Sequence, residues 1–191
     1  MAEEIGIPVG FHLAVLVKRT PVDDHDRRVS NPAIAVASRF AKEPAGIQLL
    51  EPITGLIFAG VFDRHPQLKI VMAEAGLAWI PSMVQGLDLW YQRTRDGRRL
   101  ASNSSVTLPK LLPSEYFHRH IWISFVDDPL GVRMIGNVLD SDMVMFGSDY
   151  PHPASTWPYS QQVIGNQMRE IGSDLLQKIT RDNARALFAI D

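Results

Sequence analysis

Asp149 and His152 lie close together in Val144-Met145-Phe146-Gly147-Ser148-Asp149-Tyr150-Pro151-His152-Pro153, directly after an apolar run that reads as a buried strand. A carboxylate and an imidazole are groups that move protons and hold divalent metal ions. Pro151 and Pro153 end regular structure and stiffen the loop between them. A strand that delivers Asp149 at its carboxyl end has the geometry of a parallel α/β active site. Aspartates after strands also cap the helix that follows, so the other strand ends have to be weighed with this one.

Two of those ends carry further candidates. His12 sits inside the first apolar run, and Glu74 closes the second. His, Glu and Asp are ligand types for zinc, manganese or iron, and each is a general acid or base. Each has a structural alternative. A core histidine bonded to a carbonyl accounts for His12 as well as a ligand does. Glu74, followed by Ala75-Gly76, could serve the dipole of a helix starting near Leu77. Joint occurrence at three strand ends favours a site, because buried ionisable groups are costly unless paired or coordinated. His12, Glu74 and Asp149 are therefore read together as a candidate site for catalysis or metal ligation, with the two roles still open among them.

Substrate contact is assigned to His152, Trp157 and His25, which follow the fourth and first strands on the same side. His118-Arg119-His120 would place both rings on one face of a strand. It precedes its strand, however, and with His65 is assigned to the surface at the opposite end. Trp79 falls on an apolar stripe with Met83, Leu87 and Trp90 and is read as core. Arg93 to Arg99 reads as a solvated helix end.

The elements that must position these residues alternate strand and helix. Strands are expected over 5–17, 69–74, 121–126 and 143–147. Helices are expected over 32–40, 47–62, 77–95, 127–139, 160–171 and 173–188, and loops over 18–31 and 96–113. Strands separated by helices imply parallel pairing and right-handed crossovers, either as a small open sheet or as half of an eight-stranded barrel. The 191 residues, 46% of them hydrophobic, suffice for one core.

A net charge of −2 argues against a nucleic-acid partner. Without cysteine, any metal must be held by nitrogen and oxygen. The first residues are not expected to be a signal peptide, and no apolar run approaches the ~18 residues of a membrane span. A cytoplasmic protein with a small-molecule substrate and no membrane partner is expected.

Three segments resemble the amidohydrolase-related family: Phe62 to Gly76, Phe146 to His152, and Lys178 to Phe188. The resemblance implies a metal-dependent hydrolase or decarboxylase built on a (β/α)₈ TIM-type barrel, of which residues 1–191 would form one domain, the carboxyl-terminal half. It implies that His12 is the fifth-strand metal-ligand histidine. Asp149 would be the last-strand aspartate that binds metal and handles the proton of an attacking water. Glu74 falls where most members carry a histidine, and a subset has Glu there with Trp-Ile-Pro following, as Trp79-Ile80-Pro81 does. Zinc is the first expectation for the metal, with manganese or iron next. The family's first-strand His-x-His pair has no counterpart here. That absence raises the alternative of a catalytically incomplete half-barrel that forms a homo-oligomer or pairs with a separate amino-terminal half.

Overall fold

A computed structural model describes residues 1–12, 49–97 and 107–190. His25, the loop expected over 18–31 and the helix expected over 32–40 lie outside these residues. Among the described residues, four short strands, β1 (Val9–His12), β2 (Ile70–Ala73), β3 (Ile121–Phe125) and β4 (Val144–Phe146), form one sheet in the order β1-β2-β3-β4. Every pairing is parallel, with Val9 opposite Ile70, Ile70 opposite Ile121 and Ile123 opposite Val144. Helices α1 (Leu50–Phe58) and α2 (Val61–Arg64) precede β2, and α3 (Ile80–Arg95) and α4 (Pro113–His120) lie between β2 and β3. The short α5 (Pro129–Val132) precedes β4, and α6 (Ser160–Gln167), α7 (Ser173–Gln177) and α8 (Asn183–Phe188) follow it. A π-helical turn, Lys178–Asp182, joins α7 to α8.

The period-two alternation of the strands sorts the core. Ile70, Met72, Ile121, Ile123, Phe125 and Val144 are buried together with Ile53 and Ile57 of α1, Phe62 of α2, and Leu77 and Ile80 at the start of α3. Full burial of one such side chain contributes about 1.5–3 kcal/mol. The intervening residues form a much smaller cluster, Val71 and Met145 against Leu187 of α8, with Trp122 and Ala184 beside them. Asn183 ties α8 to the foot of β4, its amide donating to Ser141 O (2.6 Å) and Val144 O (2.7 Å).

Three local expectations differ from this arrangement. The strand expected from Ile5 starts only at Val9, whose N–H donates to Lys69 O at 2.8 Å. Residues before it form turns, with Gly6 at φ 69° and Ile5 and Ile7 exposed. The helix expected through Leu139 stops at Val132 and gives way to turns around Gly136, φ 81°. His118 and His120 belong to α4, not to a strand face. Two residues along a helix rotate ~200°, which separates the rings. His118 stays exposed, whereas His120 is only 4% exposed and stacks on Phe62 with centroids 4.4 Å apart. A ring nitrogen of His120 lies 2.9 Å from Leu68 O, so its assignment to the surface is corrected to core.

Candidate active site at the carboxyl ends of the strands

All four strands point the same way, so their carboxyl ends share one side of the sheet, the mouth. His12 is the last residue of β1, and Glu74 directly follows β2. His12 Nε2 lies 3.0 Å from Glu74 Oε1, which joins adjacent strands through their side chains. Asp149 follows β4, and its Oδ2 lies 3.0 Å from His152 Nδ1. The Asp149 side chain is 13% exposed and that of His152 is 63% exposed.

Both carboxylates stand on unusual backbone. Glu74 has φ 55° and Asp149 φ 58°, and Ala189 is the other described non-glycine residue in the left-handed region. That conformation costs a residue with a Cβ roughly 1–2 kcal/mol and persists only where the surroundings over-determine it. At Glu74 the surroundings are β3 and its following loop. The Glu74 N–H donates to Ser124 Oγ (2.9 Å), and the Ala75 N–H donates to Ser124 O (2.9 Å). At Asp149 they are its own loop. The His152 N–H donates to Asp149 O (2.8 Å), and Ser148 O accepts from both Ser155 Oγ (2.7 Å) and the Thr156 N–H (3.0 Å).

Neither carboxylate caps a helix. The helix after Asp149 begins only at Ser160. The approach to α3 is satisfied from elsewhere: Asp128 Oδ2 accepts from the N–H groups of Leu77 (2.6 Å) and Ala78 (3.0 Å).

His152 Nδ1 faces two groups, the Asp149 carboxylate and the Ala154 N–H, which donates to it at 3.2 Å. With the proton on Nδ1 it serves the carboxylate; with the proton on Asp149 it accepts from both neighbours. The pair can therefore hold one proton on either member. Tyr150 and Trp157, both exposed, meet edge to face with centroids 5.2 Å apart beside it.

The donors are of the kinds a divalent ion uses. Among the described residues, however, no three His, Cys, Asp or Glu converge on one point. β4 lies two strand spacings from β2, ~10 Å, so the site consists of two pairs. Three or four protein ligands are usual for zinc.

The mouth thus brings together His12 with Glu74 and Asp149 with His152, and places Trp157 at the rim. Sequence reasoning missed Ser124 and the second role of Asp128. Asp128-Pro129 marks a helix start, and Asp128 does cap α5, accepting from the Gly131 N–H at 2.8 Å. Nothing local foretells its reach across to Leu77.

A family model described as Amidohydrolase matches residues 1–190, and the chain belongs to that family. It is 27% identical over 147 residues to the gamma-resorcylate decarboxylase of Rhizobium radiobacter, covering 71% of this chain and 38% of the relative. Among solved structures it is similar to the 5-carboxyvanillate decarboxylase of Sphingomonas paucimobilis, with TM-score 0.69 and 28% identity over 99% of this chain and 51% of that one. It also shares its fold with a dihydroxybenzoic acid decarboxylase from Polaromonas with bound manganese, with TM-score 0.66 and 17% identity over 99% of this chain and 52% of that one. The chain spans about half the length of these solved structures and little more than a third of the curated relative. The expected fold class holds: an α/β partial barrel of four parallel strands. Among the described residues, no helix is long and apolar enough to cross a membrane.

Proposed function

We propose that this chain carries the mouth of a metal-dependent decarboxylase site for a small carboxylated compound, with Asp149 as the proton-transferring group. The observation that supports this best is Asp149 itself, largely buried on left-handed backbone with an imidazole nitrogen 3.0 Å away. His12 and Asp149 are the donors on offer to a divalent ion, one in each pair, and would share it only where further ligands join them. Manganese comes first because the Polaromonas relative's structure holds it, ahead of zinc or iron. Such an ion, when bound, supplies Lewis-acid polarisation of substrate oxygens.

The chain's own groups do the rest. Loss of carbon dioxide leaves an electron pair on the substrate carbon, and that carbon must gain a proton. Asp149 in its acid form donates it to that carbon, and the pair regains its one proton from solvent through the exposed His152 ring, whose Nδ1 lies 3.0 Å from Asp149 Oδ2. Glu74 orients the His12 ring. Trp157 and Tyr150 offer flat apolar faces at the rim, where His152 also meets substrate. Hydrolysis would ask the same carboxylate to take a proton from water. Decarboxylation is preferred because the relatives at 27% and 28% identity carry decarboxylase names.

The test is carbon dioxide release from gamma-resorcylate and 5-carboxyvanillate by the purified chain with manganese. Release should exceed that of Asp149→Asn by roughly 10²–10⁴-fold. Equal release by the two proteins would overturn the reading.

A second reading, an incomplete half-barrel completed by another copy or a separate amino-terminal half, is favoured by the sheet itself. Among the described residues, β1 and β4 are its outer strands. Sedimentation velocity over a dilution series tests it: association at micromolar concentration is expected, and a stable monomer would count against it.

A further inference from the structure

Asp128 sits at a junction that no step of the proposed chemistry uses. Its two oxygens serve different elements. Oδ1 caps α5 through the Gly131 N–H, while Oδ2 accepts from the N–H groups of Leu77 and Ala78, 51 and 50 residues away in sequence. Its own N–H donates to Gln167 Oε1 (3.0 Å), and Gln167 Nε2 donates to Val126 O (3.1 Å). The loop after β2 and the start of α5 therefore meet on one carboxylate, while the end of α6 bonds the backbone on either side of it.

The fit is close. A Cβ added at Gly131 would come within 2.4 Å of Leu77 Cβ and 2.5 Å of Asp128 Oδ2, so the helix can approach only with glycine there. Gly76, two residues after Glu74, is also left-handed at φ 66°, and a Cβ added there would meet the same oxygen at 3.5 Å. The segment that Asp128 grips is thus the one that turns Glu74 toward His12. Ser124 grips its other end through the Glu74 N–H.

We propose that Asp128 and Ser124 are positioning residues, a two-point clamp that holds Glu74 in its left-handed conformation and so sets the contact between Glu74 and the His12 ring. The clamp rests on Glu74 belonging to the site, but it is tested on the His12 ring alone, independently of turnover. The probe is the ¹⁵N resonance pattern of the imidazoles in histidine-labelled protein, with His65 and His118 at the far end of the sheet as internal references. Glu74→Gln defines the signature of a lost contact.

Asp128→Ser retains one oxygen able to cap α5 but is too short to reach Leu77 and Ala78. It is expected to move the His12 resonances most of the way to the Glu74→Gln positions, with the reference histidines unchanged. Ser124→Ala, which removes the acceptor of the Glu74 N–H directly, should move them in the same direction and serves alone if Asp128→Ser fails to fold. His12 resonances left at their wild-type positions in a folded Asp128→Ser, or in Ser124→Ala, would overturn the clamp. A moved His12 signal without any carbon dioxide release would support the clamp and overturn only the decarboxylase reading.

Discussion

The two ends of the sheet carry the same chemistry on different backbones. At the mouth, His12 meets Glu74 and His152 meets Asp149; at the foot, His65 meets Glu3 at 2.8 Å and His118 meets Asp140 at 3.1 Å. Exposure does not separate the ends, since the Glu3 and Glu74 side chains are 21% and 28% exposed. Backbone does. Both mouth carboxylates sit at positive φ and neither foot carboxylate does, Asp140 being at φ −66°. The foot carboxylates stitch elements together at ordinary conformations: Glu3 also accepts the Gln67 N–H (2.7 Å), and Asp140 caps the turn before β4. Backbone held in a costly conformation with no gain in stitching is the pattern of a functional site.

The sharpest way to break this comparison is a pair of isosteric changes. Asp149→Asn keeps a residue that tolerates the left-handed region, so the melting temperature should hold while carbon dioxide release falls roughly 10²–10⁴-fold. Asp140→Asn at the foot should leave release unchanged and lower stability slightly. If the two variants lost equal activity, mouth and foot would not differ in function.

The foot should instead answer to stability measurements. Tyr116 donates to Asp63 Oδ1 at 2.6 Å, beneath β2. Burial, reinforced by that hydrogen bond, pushes the phenol up to about 12. The folded state holds this proton longer than the unfolded chain does, so its contribution is complete below pH ~10 and is lost as pH rises toward 12. Tyr116→Phe should cost about 2 kcal/mol at neutral pH, measured by urea denaturation, and should flatten the alkaline loss. An unchanged alkaline slope would show that Tyr116 does not cause it.

Why the mouth was more legible in sequence than the foot follows from the same contrast. Glu74 and Asp149 close short apolar runs, and a strand's end is a local property. Its place before a strand assigns His120 to the surface, but the eight-residue helix that lies there turns its ring inward. Its burial depends on Phe62, far away in sequence. Asp128 was legible as the cap of α5 but not as the acceptor for Leu77 and Ala78, because that contact exists only once β2 and β3 are paired. The pairing of His12 with Glu74 was likewise a consequence of register, which sets His12 opposite Ala73.

Glycine substitutions sharpen the backbone argument at a smaller scale. At positive φ, glycine relieves the strain, so Glu74→Gly and Asp149→Gly should leave stability unchanged or raise it by up to about 1 kcal/mol. At Asp140, where φ is ordinary and the side chain caps a turn, the same change loses the cap and frees the unfolded backbone, and should cost about 1 kcal/mol. Thermal melts of the three proteins decide it. Destabilisation at the mouth equal to that at Asp140 would mean that the left-handed residues store no strain.

The smallest effect belongs to Glu3. The Gln67 N–H, followed by the His65 ring, holds its carboxyl below the usual glutamate range. The unfolded chain then binds this proton at a higher pH than the folded one. The contribution to stability is therefore present above the ordinary glutamate range and fades as pH falls through the lowered value. Because the group lies at the surface and is only partly covered, the slope should be slight and should weaken with added salt. Glu3→Gln should remove it without touching carbon dioxide release, as a pH series of melts on the two proteins would read. A loss of release in Glu3→Gln would join the foot to the mouth and end the distinction between them.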